Sequence, residues 1–126
     1  MNHKFGIFDS GFGGITVLNK VLTRHGDIPC LYLADSARVP YGDKKPSEIR
    51  IIAREVVSWL VEQKVSVILV ACNTTNSLAL DVVKEVSGVP VISLIEAGAQ
   101  MIRQSRVGVL ATNATVSSGF YKSQIQ

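Results

Sequence analysis

An apolar run that ends in a cysteine constrains the fold of this chain more than any other feature. Residues 67–71 are all apolar, and three of the five are β-branched, which predicts a strand buried on both faces. Cys72 follows directly, and Asn73, Thr74 and Thr75 are residue types that often cap helices. The thiol is therefore expected at the carboxyl end of a central strand and at the amino end of the next helix.

This predicted position of Cys72 suggests a reactive thiol. Open α/β sheets place their ligand crevices outside the carboxyl ends of the strands. Backbone N–H groups and the positive end of the helix dipole favour a thiolate over a thiol at such a point. A free cysteine is also a common small buried hydrophobe, so a purely structural Cys72 is the alternative interpretation. The stretch alone leaves both interpretations open.

The composition argues against several other classes of protein. With 126 residues and 47% hydrophobic content, the chain is about one ordinary domain in length and can bury a core. The net charge of +3 is mild and the basic residues are scattered, so no nucleic-acid partner is expected. No apolar run approaches the roughly 18 residues of a membrane span, so no membrane partner is expected either. Two cysteines without a C-x-x-C pair favour a reducing, cytoplasmic setting.

Strand-like and helix-like patterns alternate along the whole chain. Such a repeat predicts an α/β fold, a parallel β-sheet flanked by helices with right-handed crossovers. The predicted strands are 5–8, 30–34, 67–71, 91–95 and 107–111. Helices are predicted at 15–24, at 48–63, from behind Cys72 to about 86, at 97–104, and from Ser117 or Ser118 onward. In the second of these helices, Ser47 is the expected cap and Val61 is expected on the buried stripe. Gly88 is expected to end the third helix.

A glycine-rich turn follows the first predicted strand. Its sequence, Asp9-Ser10-Gly11-Phe12-Gly13-Gly14, lacks the third small residue of a dinucleotide-binding fingerprint, because Thr16 occupies that position. It also lacks the Gly-Lys-Ser or Gly-Lys-Thr of a phosphate-binding Walker loop, and Asp9 would repel a phosphate. The glycines are expected either to let the backbone approach another ligand closely or to make a tight turn and nothing else.

The longest loop, 35–46, follows the second predicted strand and contains Pro40-Tyr41-Gly42. Loops at the carboxyl edge of a sheet carry functional sites more often than loops elsewhere. A turn with an exposed tyrosine is the alternative explanation of this tripeptide.

Five motifs occur in register along the chain. They are Gly6-Ile7-Phe8-Asp9-Ser10-Gly11 with Gly13-Gly14, then Ala37-Arg38-Val39-Pro40-Tyr41-Gly42, Ala71-Cys72-Asn73-Thr74, Val89-Pro90-Val91-Ile92, and Gly108-Val109-Leu110-Ala111-Thr112 with Ala114-Thr115. Together they resemble the glutamate racemase family, the cofactor-independent enzymes that make D-glutamate for the bacterial cell wall. The resemblance covers the whole chain, with Thr75 in place of the usual alanine as a small departure. It implies an aspartate/glutamate racemase-like fold and interconversion of L- and D-glutamate by two-cysteine proton transfer, with no cofactor.

The resemblance also implies roles for individual residues. Cys72 would be one of two catalytic cysteines, and Asp9 and Ser10 would contact the substrate and help to orient or polarise the thiol. The other substrate-binding residues would be Tyr41, Gly42, Asn73, Thr74, Thr112 and Thr115. No metal site is implied, glutamate is the expected small-molecule partner, and association into a homodimer is left open.

The chain departs from the family in length. Family members are about twice as long and form two similar α/β domains around the active site. By that pattern, 1–98 is the first domain, without a segment that returns from the far C-terminus, and 99–126 is the start of the second. The second catalytic cysteine has no counterpart, because Cys30 lies inside a predicted strand. The chain is therefore expected to be a fragment or a truncated product that is inactive alone.

Three other functions are weighed against this one. A non-catalytic half-domain that binds a carboxylate or an amino acid is favoured by the missing second thiol. An aspartate-type racemase would share the cysteine region without the Asp-Ser-Gly-x-Gly-Gly and Pro-Tyr-Gly motifs. A cysteine hydrolase would need a histidine base, and His3 and His25 are both expected at the wrong edge of the sheet.

Overall fold

In the computed structural model, which describes residues 3–126, four parallel strands form one sheet in the order β2-β1-β3-β4. The strands are β1 (Phe5–Asp9), β2 (Cys30–Ala34), β3 (Val67–Val70) and β4 (Val91–Ser93). The helices are α1 (Ile15–His25), α2 (Pro46–Glu62), α3 (Asn73–Ser87), α4 (Leu94–Gln100), α5 (Asn113–Ser118) and α6 (Phe120–Ile125), with a 3-10 turn at Ser36–Arg38. The parallel sheet flanked by helices confirms the predicted fold class. Within residues 3–126, no helix combines the length and the apolar composition needed to cross a membrane.

β3 lies inside the sheet because it is apolar on both faces. One face of the sheet packs against α2 and α3, where Phe8, Ile68 and Val70 join the main core. The opposite face packs against the apolar side of α1, where Ile7 and Leu69 are buried. β1 and β4 pair with the two edges of β3, so its backbone and both its faces are covered. This is the environment that a continuous apolar run predicts.

α2 differs from its predicted start and from its predicted buried stripe. The helix begins earlier than expected, because Lys45 precedes its first turn and donates its backbone N–H to Glu48 Oε2 at 2.8 Å. Ser47 therefore lies within the first turn, and its predicted capping role is wrong. Val61 is exposed rather than buried, because Val57 occupies the core-facing position in this part of the helix.

The predicted fifth strand, 107–111, does not form. Leu110 is fully exposed, and Val107 and Val109 are also exposed. A strand is stabilised by hydrogen bonds to an adjacent strand, and none of the described residues pairs with this run. Its apolar character is therefore insufficient to make it a strand.

The fourth strand and the helix behind it also have different bounds. The strand predicted at 91–95 ends at Ser93, and the helix predicted at 97–104 begins at Leu94. Ser93 caps this helix, since its Oγ accepts the backbone N–H of Glu96 at 3.2 Å. A side-chain cap that close to the strand leaves no room for the predicted connection.

The C-terminal helix predicted from Ser117 or Ser118 begins at Asn113 instead. Thr112 caps it, because its Oγ1 accepts the backbone N–H of Thr115 at 3.4 Å. Gly119, with φ +68°, ends α5 and starts α6, which packs against α4. Gly88, with φ +60°, ends α3 as predicted, in the left-handed conformation that glycine adopts most readily.

Candidate active site

Three strand ends meet at one edge of the sheet. Asp9 is the last residue of β1, and its backbone oxygen accepts the N–H of Asp35, directly after β2, at 3.1 Å. On the other side, the N–H of Ala71 donates to the oxygen of Phe8 at 2.8 Å. Cys72 is the next residue, so the topology brings this thiol to the same edge as the two aspartates.

Cys72 lies where the sequence predicts it, at the junction of β3 and α3. It is the N-cap residue of α3 in an extended backbone conformation, it is a free thiol, and it is 4% exposed. Cys30 begins β2 and pairs with Phe5, which places it at the opposite edge of the sheet. Burial raises the pKa of the Cys30 thiol. The two cysteines are therefore in different environments, and only Cys72 lies among the site residues.

Asp9 is held by the glycine-rich turn behind β1. Its buried carboxylate accepts the backbone N–H of Gly14 at 2.8 Å. Tyr32 Oη lies 3.2 Å from the same oxygen and 2.7 Å from the oxygen of Gly11. A Cβ at position 14 would approach both Asp9 and Tyr32 to 2.8 Å, so only glycine fits there. The glycine turn thus serves to bring backbone against a carboxylate.

Tyr32 was not predicted as a site residue. Burial, together with the nearby Asp9 carboxylate, raises its pKa to about 12. The phenol therefore stays protonated and can act as a hydrogen-bond donor at neutral pH. Its place in β2, beside β1, is what brings it to Asp9.

Tyr41 is buried and not the exposed turn residue of the alternative interpretation. It is 3% exposed, and its hydroxyl donates to Asp35 Oδ2. Burial, and then the hydrogen bond to Asp35, raises the pKa of Tyr41. Arg38 donates from Nε to the same Asp35 oxygen at 2.7 Å and from a terminal nitrogen to Glu55 Oε2 at 2.6 Å. Since Tyr41 donates its one hydroxyl proton to Asp35, its side chain stabilises the loop 35–46.

Sequence reasoning also did not predict the ionic group formed by Asp35, Arg38 and Glu55. Asp35 could have been found, because it follows β2 directly at the edge where Asp9 and Cys72 lie. Glu55 could not, because it belongs to α2 and meets Arg38 only in the folded chain. This ionic group connects the loop after β2 to α2.

Three threonines join the last part of the chain to the cysteine turn. Thr74 Oγ1 lies 3.2 Å from Thr112 Oγ1 and 3.5 Å from Thr115 Oγ1, and the latter two are 3.1 Å apart. Gly42 packs against Thr112, since a Cβ at position 42 would lie 2.9 Å from the threonine Cβ. The structure therefore brings four of the predicted residues together from three separate segments.

The two other predicted residues lie beside these groups. Ser10 follows Asp9 directly and is half-buried, whereas Asn73 follows Cys72 as the first residue of α3 and is exposed. The backbone N–H groups of Asn73 and Thr74 lie in the first turn of α3, where a helix has no intrahelical acceptors to offer. Such N–H groups suit a carboxylate ligand.

The fold and the site define an α/β protein with a thiol, a buried carboxylate and helix N–H donors at the carboxyl edge of a parallel sheet. A thiolate in this position can act as a base or a nucleophile. Within the part of the chain that the structure describes, no three His, Cys, Asp or Glu side chains are grouped to hold a metal ion.

Comparison with known proteins identifies the family. Residues 16–126 match the family described as Asp/Glu/Hydantoin racemase, and the chain belongs to that family. It is 60% identical over 121 residues to a glutamate racemase of Synechococcus sp. (strain CC9605), covering 96% of this chain and 46% of the relative.

Solved structures show the same relation. A glutamate racemase of Francisella tularensis in complex with D-glutamate matches with a TM-score of 0.95 and 38% identity, over 98% of this chain and 48% of that one. A glutamate racemase of Aquifex pyrophilus matches with a TM-score of 0.91 and 40% identity, over 97% of this chain and 50% of that one. The chain thus spans about half the length of the relatives that it matches.

Proposed function

We propose that this chain is the N-terminal half of a cytoplasmic glutamate racemase, which interconverts L- and D-glutamate without a cofactor and supplies D-glutamate for peptidoglycan. The observation that supports the proposal most is the position of Cys72. It is the N-cap residue of α3 and lies at the same sheet edge as the buried Asp9 carboxyl group. The relatives over the whole of this chain are glutamate racemases, which favours glutamate over aspartate within the family.

Within such an enzyme, we assign 1–98 to a first α/β domain and 99–126 to the start of a second one. The four paired strands all lie before residue 94, which supports that division. The threonines after residue 111 would then border the active site from the second domain. The second acid–base group would come from the other half of the protein, since Cys30 lies at the far edge of the sheet.

Racemisation needs a base on one face of the substrate α-carbon and an acid on the other. The Cys72 thiolate would take the α-proton, the C–H bond would break, and the electron pair would pass into the substrate α-carboxylate. A thiol from the other half would then deliver a proton to the opposite face and become a thiolate. Transfer of one proton from Cys72 to that thiolate through solvent would restore both groups.

Asp9 is suited to hold the substrate ammonium group. Its carboxyl group is buried and already fixed by the N–H of Gly14, so it occupies a defined place at the sheet edge where Cys72 lies. Ser10, directly behind it, would add a hydroxyl to the same contact. This arrangement orients the α-carbon relative to the thiolate.

The substrate carboxylates would bind to N–H and O–H donors. Backbone N–H groups of Asn73 and Thr74 in the first turn of α3 supply one set. Gly42 would let the backbone of its loop approach the substrate closely, while Tyr41 holds that loop through Asp35. The hydroxyls of Thr112 and Thr115, which lie 3.2 and 3.5 Å from Thr74 Oγ1, would close the site from the last segment.

A non-catalytic half-domain that binds an amino acid is the second candidate. The observation that favours it is the single thiol at this edge of the sheet among residues 3–126. Both candidates use the same binding groups, so they differ only in whether proton transfer follows binding.

Replacing each cysteine in turn in the complete enzyme tests the proposal. We expect Cys72→Ala to lower the rate of racemisation, followed by circular dichroism of glutamate, at least about a thousandfold, because the base is lost. The fold should be nearly unchanged, at a cost of about 1 kcal/mol for the smaller side chain. The matched control, Cys30→Ala, should keep most of the activity. A Cys72→Ala enzyme with more than a small fraction of wild-type activity would refute the role of Cys72.

A further inference from the structure

The turn that carries Cys72 is held by a side chain that the proposed mechanism does not use. Asn76 lies in the first turn of α3 and is 1% exposed. Its side-chain Nδ2 donates to the backbone oxygen of Val70 at 2.8 Å and to that of Cys72 at 3.1 Å. One amide group therefore ties the last residue of β3 to the residue that caps α3.

The same side chain leaves its other polar atom without a partner. Asn76 Oδ1 is buried and accepts no hydrogen bond from the described residues. Burying an unpaired amide oxygen is unfavourable, and an apolar side chain of similar size would avoid it. What asparagine supplies at this position, and leucine cannot, is the pair of N–H donors.

A neighbouring residue shows how the bond from Asn76 to Val70 differs from an ordinary helix contact. Ser77 Oγ donates to the backbone oxygen of Asn73 at 2.8 Å, one turn back within α3. That bond stays inside the helix. The amide of Asn76 reaches across the junction to the strand, so it fixes the angle between β3 and α3 and not only the first turn.

We infer that Asn76 is a positioning residue for Cys72, which holds the strand-to-helix junction so that the thiol stays at the amino end of α3. Its catalytic consequence rests on the proposed function, whereas the positioning itself does not. Without the side-chain donors, the Cys72 oxygen would keep, among residues 3–126, the backbone N–H of Asn76 at 3.0 Å as its donor, and the Val70 oxygen would lose its hydrogen bond to the helix.

Alkylation of Cys72 by iodoacetamide in the 126-residue chain tests the inference, with Cys30 as the internal reference. Peptide mapping gives both rates across the neutral to alkaline range, and circular dichroism reports whether each variant is folded. The ionisable groups at this edge of the sheet on neighbouring elements, Asp9, Asp35, Tyr32 and Tyr41, are unchanged in every variant. A displaced pH–rate curve therefore reports the placement of the thiol.

We expect Asn76→Leu to slow alkylation of Cys72 relative to Cys30 about tenfold at neutral pH and to move its pH–rate curve to higher pH. Asn76→Ser should slow it about threefold, because a hydroxyl can still donate to the Cys72 oxygen as Ser77 does to its own partner. The matched control, Ser77→Ala, removes a side-chain bond of the same helix turn and should leave both cysteines unchanged.

A folded Asn76→Leu chain in which the pH–rate curve of Cys72 keeps its wild-type position would overturn the inference. Equal changes at Cys72 and Cys30 would also overturn it, since they indicate general loosening. If Asn76→Leu does not fold, Asn76→Ser decides alone, and an unchanged curve there would be a refutation. Alkylation needs no glutamate, so failure here is distinct from failure of the proposed racemase activity, which the Cys72→Ala enzyme measures.

Discussion

Two apolar runs of this chain resemble each other in sequence and differ in structure. Residues 67–71 and 107–111 are each followed by one N-cap residue, Cys72 or Thr112, and then by a helix that begins with asparagine. The first forms β3, paired on both sides, with Ile68 completely buried. The second forms no strand, and Leu110 is fully exposed. An apolar run therefore becomes a strand only where neighbouring strands and helices cover it.

The two runs nevertheless deliver side chains to the same place. Thr74 follows the first run and Thr112 follows the second, and their hydroxyl oxygens are 3.2 Å apart. Contacts within the candidate site, together with packing of α5 on α3, position the end of the second run. The sheet positions the end of the first run. The site therefore joins a segment that belongs to the sheet to a segment that is held by the site contacts and by α5.

The largest expected difference between the two runs is in amide hydrogen exchange. Backbone N–H groups of β3 are bonded within a buried sheet, whereas those of 107–111 have no strand partner among the described residues. We expect exchange in β3 to be slower by at least about a thousandfold, measured by mass spectrometry or NMR. Similar protection in both runs would show that the second run is held in a strand in solution.

Truncating one large side chain in each run should give the next largest difference. Ile68→Ala removes a completely buried side chain and should lower the free energy of unfolding by about 2–4 kcal/mol. Leu110→Ala removes an exposed side chain and should change it by less than about 0.5 kcal/mol. Urea denaturation measures both, and a large effect of Leu110→Ala would mean that this residue is covered in solution.

The smallest expected effect concerns the contact between the two regions. Thr112→Val removes the side-chain cap of α5 and the bond to Thr74, and should lower the free energy of local opening of α5 by about 1 kcal/mol. Faster hydrogen exchange of the Val116 amide, which donates to the backbone oxygen of residue 112, measures this change. Thr16→Val is the control, because the exposed Thr16 hydroxyl donates to the Gly13 oxygen in a different turn. Equal exchange at Val116 in both variants would contradict the capping role.

Sequence patterns predict the first part of the fold well because its signals are local. Apolar runs predict the bounds of β1, β2 and β3 to within one residue, and Gly88 predicts the end of α3. The two main errors have different causes. The Ser93 cap that starts α4 early is a local contact that the apolar pattern hides, whereas 107–111 fails to form a strand because no other strand of the described residues lies beside it.

The same distinction applies to the candidate site. Strand order and the position of Cys72 after a buried run place Cys72 and Asp9 at one edge, which sequence reasoning can anticipate. The partners of these residues come from other elements. Tyr32 meets Asp9 across two strands, and Glu55 meets Arg38 across a loop and a helix. The hydroxyl of Tyr41 points to Asp35, a pairing that no spacing rule predicts.

We propose that this chain supplies the acid–base group for one face of the substrate and needs the other half of the protein for the opposite face. Circular dichroism of L-glutamate and of D-glutamate, followed for hours with the purified 126-residue chain at high concentration, tests it directly. We predict no interconversion, because a single thiolate reaches one face and an open half-site stabilises the carbanion-like state poorly. Sustained racemisation that Cys72→Ala abolishes would contradict the claim. It would mean that two copies pair their Cys72 thiols across one substrate or that another residue of this chain supplies the second proton.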